Sequence, residues 1–174
     1  MARINEIEAV DRFIASDKKL SGAAPEVGPR SNSNSNDGSS WEAVWPIANP
    51  DGVVETGQVR VRYSPASDKP FSIVLIFQDN CVFRVDFVAK SICHVNPLSA
   101  ASAGLPPMVC GPHCHTWDAD RVHLMSGGDW ELRLREPLAP QIRKFEQAFA
   151  WFAQQVNISL LPTDRLFELP AELF

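Results

Sequence analysis

Two stretches with a repeat of two residues constrain this chain most. Val59, Val61 and Tyr63 alternate with Arg60 and Arg62, and Cys81, Phe83, Val85 and Phe87 alternate with Val82, Arg84, Asp86 and Val88. Successive side chains on a strand point to opposite faces, so each stretch presents one apolar face and one partly polar face. Between them, Ile73-Val74-Leu75-Ile76-Phe77 is an unbroken apolar run of the kind expected in a central strand, spanning Phe71 to Phe77. Trp41 to Ala48 and Val53 to Tyr63 flank Asn49-Pro50-Asp51-Gly52, a turn signal that joins antiparallel neighbours. His113 to Trp117 reads as a further short strand. A last hairpin is expected around Ser126-Gly127-Gly128-Asp129, with Trp130, Leu132 and Leu134 on one face.

The helical repeat appears at both ends of the chain. Leu138, Ile142, Phe145, Phe149, Phe152 and Val156 fall at steps of four and three behind Pro137 and Pro140, and that stripe needs a sheet to lie on. Ile4, Ile7, Val10, Phe13 and Ile14 form a shorter stripe. Residues 17–40 hold the run Ser31 to Ser40, which has no large apolar side chain and reads as a flexible linker. The expected organisation is an N-terminal helix over 1–16, the linker, a single α+β domain over 41–158 and a C-terminal strap over 159–174. The fold class is α+β: an antiparallel sheet of about five or six strands packed by the C-terminal amphipathic helix, with the N-terminal helix on its linker.

Lys and Arg number 16 against 21 Asp and Glu, a net charge of −5, which excludes a chain-wide basic footprint for nucleic acid. The longest hydrophobic run is Ala148 to Ala153, far short of the ~18 residues that cross a bilayer. The first residues show no apolar signal segment, so a cytoplasmic location is expected, with no membrane partner and no disulfides.

All four Cys and all four His lie between Cys81 and His123. In extended chain, His113 and His115 share a face with Cα atoms ~7 Å apart, near enough to act on one metal ion or one phosphate. Histidine titrates near pH ~6.5, so one ring can give a proton while the other takes one, as RNA cleavage through the 2′ hydroxyl requires. The plainer explanation is two polar residues on the wet face of a strand, or one of them a core histidine bonded to a backbone carbonyl. Arg84 and Asp86 share a face of their strand; they form either a salt bridge or a substrate site in which Asp86 orients a histidine and Arg84 meets phosphate charge. His94 joins them if its strand pairs nearby. Trp117 and Arg121 are candidate ligand contacts. No cofactor is favoured. Zinc is the alternative, held by His113 and His115 with Cys93, His94 or Cys110, although the spacings lack the two short half-sites of a structural zinc site, and alternation turns Cys114 away.

Phe83-Arg84-Val85-Asp86-Phe87, His94-Val95-Asn96-Pro97 and Gly111-Pro112-His113-Cys114-His115-Thr116-Trp117, followed by a helix closing in Val156-Asn157-Ile158, form an ordered set. It resembles small uncharacterised proteins of bacteria and their phages or mobile elements that carry R-x-D, H-x-N-P and G-P-H-x-H-x-aromatic motifs. The likeness covers about half the chain, and the insert from Leu98 to Cys110 is longer than the pattern. More loosely, the histidine pattern is similar to toxin components of toxin–antitoxin loci, which implies RNA or an antitoxin-like protein as partner. The expectation is therefore a toxin-like protein that acts on RNA or binds a phosphate ligand, ribonuclease-like if it is an enzyme, with His94, His113, His115, Arg84 and Asp86 as the acting residues. A metal-binding protein and a non-catalytic interaction module are the alternatives.

Overall fold

The computed structural model describes residues 2–21, 28–29, 41–63 and 71–161. In chain order these form helix α1 (Ala2–Ala15), strands β1 (Lys18–Leu20), β2 (Gly28–Pro29), β3 (Trp41–Ala48), β4 (Val54–Tyr63), β5 (Phe71–Phe77), β6 (Asn80–Phe87) and β7 (Cys93–Val95), then a 3-10 turn (Leu98–Ala103), β8 (Met108–Cys110), β9 (His113–His115), α2 (Trp117–Met125), β10 (Glu136–Pro137), α3 (Phe145–Gln155) and β11 (Ile158–Ser159). The class is α+β and the main sheet is mostly antiparallel, as the alternation implies. That sheet is larger than five or six strands: eight follow the order β10-β9-β6-β5-β4-β3-β1-β11, with β2 also on β3. Among the described strands, β1 and β11 are the one parallel pair. The surplus comes from β1, β10 and β11, pieces of two or three residues that are too short to show a period.

One sheet face carries the core. Ala43, Trp45 and Ile47 of β3, Val59, Val61 and Tyr63 of β4, and Phe71, Ile73, Leu75 and Phe77 of β5 are buried there. Helix α3 lies across it with Phe145, Phe149 and Phe152, Phe149 meeting Trp45 at 5.7 Å and Phe145 meeting the Phe71 ring edge-on at 5.3 Å. Helix α1 is part of this core, not a tethered appendage. Its Ile7, Val10 and Phe13 are buried, and Phe13 stacks on Phe77 at 4.2 Å. β4 makes room for that ring with Gly57, where a Cβ would stand 2.5 Å from Phe13. The end of α1 is closed by Lys18, whose buried ammonium donates to the carbonyls of Phe13, Ile14 and Ser16, three groups that the helix itself cannot pair. Burial draws that lysine's pKa down to about 8. The segment 17–40, read as linker, thus contributes β1 to the sheet; its residues 22–27 and 30–40 lie outside the described residues, as does 162–174 of the strap.

Three further expectations change. Residues Trp117–Met125 are helix α2, and residues 130–135 are not a strand. The start signal was present in the sequence: Thr116 caps the helix by accepting from the Ala119 N–H, and Asp118 and Asp120 fill the first turn. Leu134 is nonetheless buried, its N–H held by the Asp120 carboxylate. The C-terminal helix begins at Phe145, because the segment ahead of it is occupied by β10 and by a turn in which Ile142 N–H meets the Ala139 carbonyl. Gln147 Oε1 then accepts from the N–H groups of Arg143 and Lys144 and fixes the first turn. Leu138 and Ile142 still enter the core, from outside the helix. Finally, Cys93 and Cys110 form a disulfide where none was expected. The two-stranded β7–β8 hairpin sets them directly opposite each other with Cα atoms 4.0 Å apart. Closing 17 residues of chain contributes about 3 kcal/mol on a chain-entropy account.

Two measurements check this architecture. Gly57→Ala forces a methyl against the Phe13 ring and should lower stability by about 1–3 kcal/mol in urea unfolding, while Phe13→Leu in the same chain should recover part of that loss. Equal losses in the single and double variants would show that the contact is not what Gly57 preserves. In denatured, unreduced protein two thiols should react, Cys81 and Cys114, rising to four after reduction. In the folded protein at pH 8 both should react slowly, because burial pushes their pKa values up to about 11 and about 12. Four thiols before reduction would exclude the bond.

Candidate functional site

The face opposite α1 and α3 is polar, and strand register decides what meets on it. Residues directly opposite in adjacent antiparallel strands lie on one face. One row across the sheet reads Glu42, Arg62, Ser72, Asp86, His113, and the next reads Val44, Arg60, Val74, Arg84, His115. β9 pairs with β6 so that His113 faces Asp86 and His115 faces Arg84, while Cys114 pairs with Val85 and turns to the core.

The cluster centres on one carboxylate oxygen. Asp86 Oδ2 lies 3.6 Å from His113 Nε2, 3.5 Å from His115 Nε2 and 2.8 Å from Arg84 Nε. Oδ1 accepts from Ser72 Oγ at 2.6 Å and from Arg84 Nε at 2.9 Å. Asp86, His113 and His115 are buried, whereas the Arg84 side chain is 47% exposed. Burial alone would raise the Asp86 pKa, but pairing with His115, the Arg84 charge and the Ser72 hydroxyl outweigh it and hold the carboxyl well below the usual range. Asp86 is therefore an anion under the surface.

His113 is oriented from behind. Its Nδ1 lies 2.8 Å from the Gly111 carbonyl, which can only accept, so Nδ1 carries the proton. Gly111 takes φ +79°, a conformation that suits glycine, to aim that carbonyl, and a Cβ there would also stand 3.3 Å from the Lys90 backbone. Burial lowers the His113 pKa, against the opposing pull of Gly111 and Asp86, and so favours the neutral ring. In the neutral ring with Nδ1 protonated, the Nε2 lone pair faces the Asp86 carboxylate. His115 has a buried Nδ1 with no partner, a cost in either tautomer.

His94 lies on β7, its ring 5.1 Å from that of His113. Asn96 holds this hairpin down: it donates to the carbonyls of Pro106 and Arg135 and accepts from the Arg135 N–H. All five expected acting residues, His94, His113, His115, Arg84 and Asp86, therefore converge. Ser72 joins them unforeseen; only its register opposite Asp86 marks it.

The other expected contacts lie elsewhere. The helix start at Thr116 breaks the alternation and carries Trp117 into the core, where it stacks on Trp130 at 5.8 Å and donates to Asp11 at 2.7 Å. Arg121 grips the same Asp11 with Nε and Nη2, so both residues tie α2 to α1. Cys93 and Cys110 are consumed by their disulfide and cannot serve as metal ligands. Among the described residues, the one group of three or more His, Cys, Asp or Glu placed to hold a metal ion is Asp86, His113 and His115, with ligand atoms within 4.8 Å of one another. No described helix is long and apolar enough to cross a membrane. Comparison of the chain with protein-family models, with curated proteins and with solved structures finds no match.

Proposed function

We propose that the protein binds a divalent transition-metal ion through Asp86, His113 and His115. One observation carries this: a neutral imidazole, its tautomer fixed by the Gly111 carbonyl, aims a lone pair at an ionised carboxylate 3.6 Å away. Two electron-rich atoms held like that are stabilised by a cation between them, and the separation favours a metal ion over a proton. Both histidine–carboxylate separations exceed a good N–H···O bond, which spans ~2.7–3.2 Å. They approach the ligand–ligand edge of about 3.3–3.4 Å that follows from a tetrahedral ion bound at ~2.0–2.1 Å. Two histidines and one carboxylate suit zinc, or ferrous iron with open positions. A fourth position is left for water, a substrate or His94.

The second reading is the metal-free one, in which His113 and His115 exchange protons over Asp86 and act on RNA. Arg84 favours it, since its guanidinium already neutralises part of the carboxylate charge at 2.8 Å. Elemental analysis separates the two. Protein prepared without chelators should hold about one zinc or iron per chain, and Asp86→Asn and His113→Ala should each lower metal affinity by about a hundredfold or more. Added metal at about a thousand times Kd should stabilise the wild type by about 4 kcal/mol. Wild-type protein that holds no metal and gains no stability from zinc or ferrous iron would leave the acid–base reading.

A further inference from the structure

Beside the cluster, strand register sets short side chains between arginines on the polar face, the outline of a trough. Its floor is the two short side chains of β5, Ser72 and Val74; Arg60 and Arg62 of β4 stand along one rim and Arg84 of β6 along the other. Strands sit ~4.8 Å apart, so the backbones of Arg60 and Arg84 are about 10 Å from each other, a gap that two arginine side chains can close onto a tetrahedral anion. Their donors are largely unspent. Arg62 is bound by Glu42 at 2.8 Å, but Arg60 is only within 4.0 Å of that carboxylate and makes no hydrogen bond among the described residues. Its Nε is buried without a partner, although the side chain as a whole is 31% exposed. Arg84 spends its Nε on Asp86 and leaves both terminal nitrogens without a hydrogen bond among the described residues. Three arginines against the carboxylates of Glu42 and Asp86 leave this face positive on a chain of net charge −5.

We propose that this trough binds a phosphate group, with Arg60 and Arg84 clamping its oxygens beside the Asp86–His113–His115 cluster. The exposed parts of both guanidinium groups hold more donors than the nearby carboxylates use, and a phosphate oxygen is the acceptor that the planar fork fits best. The inference rests on the metal reading and deepens it by naming the class of ligand bound beside the Asp86–His113–His115 cluster. The phosphate is carried either by a small ester or by a nucleic-acid backbone; Arg60 and Arg84 would meet the same group in both.

The test uses the full chain loaded with the metal it retains, titrated calorimetrically with pyrophosphate, with adenosine 5′-monophosphate and with a short single-stranded RNA. Arg60→Gln is the informative variant, because Arg60 touches none of the three metal ligands. Pyrophosphate should bind the wild type, and Arg60→Gln should weaken it about tenfold or more with metal content unchanged. RNA that binds more tightly than the mononucleotide identifies the backbone as the source; equal binding identifies a small ester. Metal content measured on the same samples keeps the two ideas apart. Arg60-dependent phosphate binding without metal sustains the trough and removes the metal. Metal-loaded protein that binds none of the three probes, or binds them equally after Arg60→Gln, overturns the trough alone.

Discussion

The Asp86 carboxylate is the charge around which the polar half of this structure is arranged. A buried anion is expensive unless hydrogen bonds and cations surround it, and here β5 supplies Ser72, β6 supplies Arg84 and β9 supplies His115, with His113 beside it. None of these partners can be exchanged by a small slip, because a one-residue shift of β9 would send His113 and His115 to the core face and bring Cys114 to the anion. The register is held from outside the cluster as well. The Pro112 carbonyl accepts from Leu138 N–H, β10 pairs with the outer edge of β9, and Asn96 binds the strand's covering hairpin to residue 135.

The sheet is used asymmetrically. Apolar residues at alternate positions of β3, β4 and β5 are buried under α1 and α3, while the opposite face carries Glu42, Arg60, Arg62 and Ser72 among valines and is continued by Arg84 and Asp86 of β6 and the two histidines of β9. Packing is thus assigned to one face and chemistry to the other. The β7–β8 hairpin brings His94 onto the polar face at the end where His113 lies.

Local periodicity made a good part of this readable from residues alone. The alternation that puts Arg84 and Asp86 on one face, and His113 and His115 on one face, is a property of extended chain and needs no tertiary information. Their meeting is a different matter. β6 and β9 are separated in sequence by the whole β7–β8 insert, and nothing in either strand names its partner. Ser72 was invisible for the same reason. The Cys93–Cys110 bond was judged from the lack of a signal segment, whereas hairpin register, which three-residue strands do not advertise, brings the two sulfurs together. Helix α2 was missed although its capping threonine and acidic first turn were in plain view, because the strand alternation through His113 and His115 was extended one residue too far, into Trp117.

Arg84 is where the two readings of the site compete. A guanidinium 2.8 Å from Asp86 Oδ2 competes with a metal ion for that oxygen, yet together with His115 and Ser72 it also lowers the pKa of a carboxyl that burial alone would raise. The half-exposed position of Arg84 resolves part of this tension, since its charge is screened by water on one side while its Nε keeps Asp86 ionised on the other.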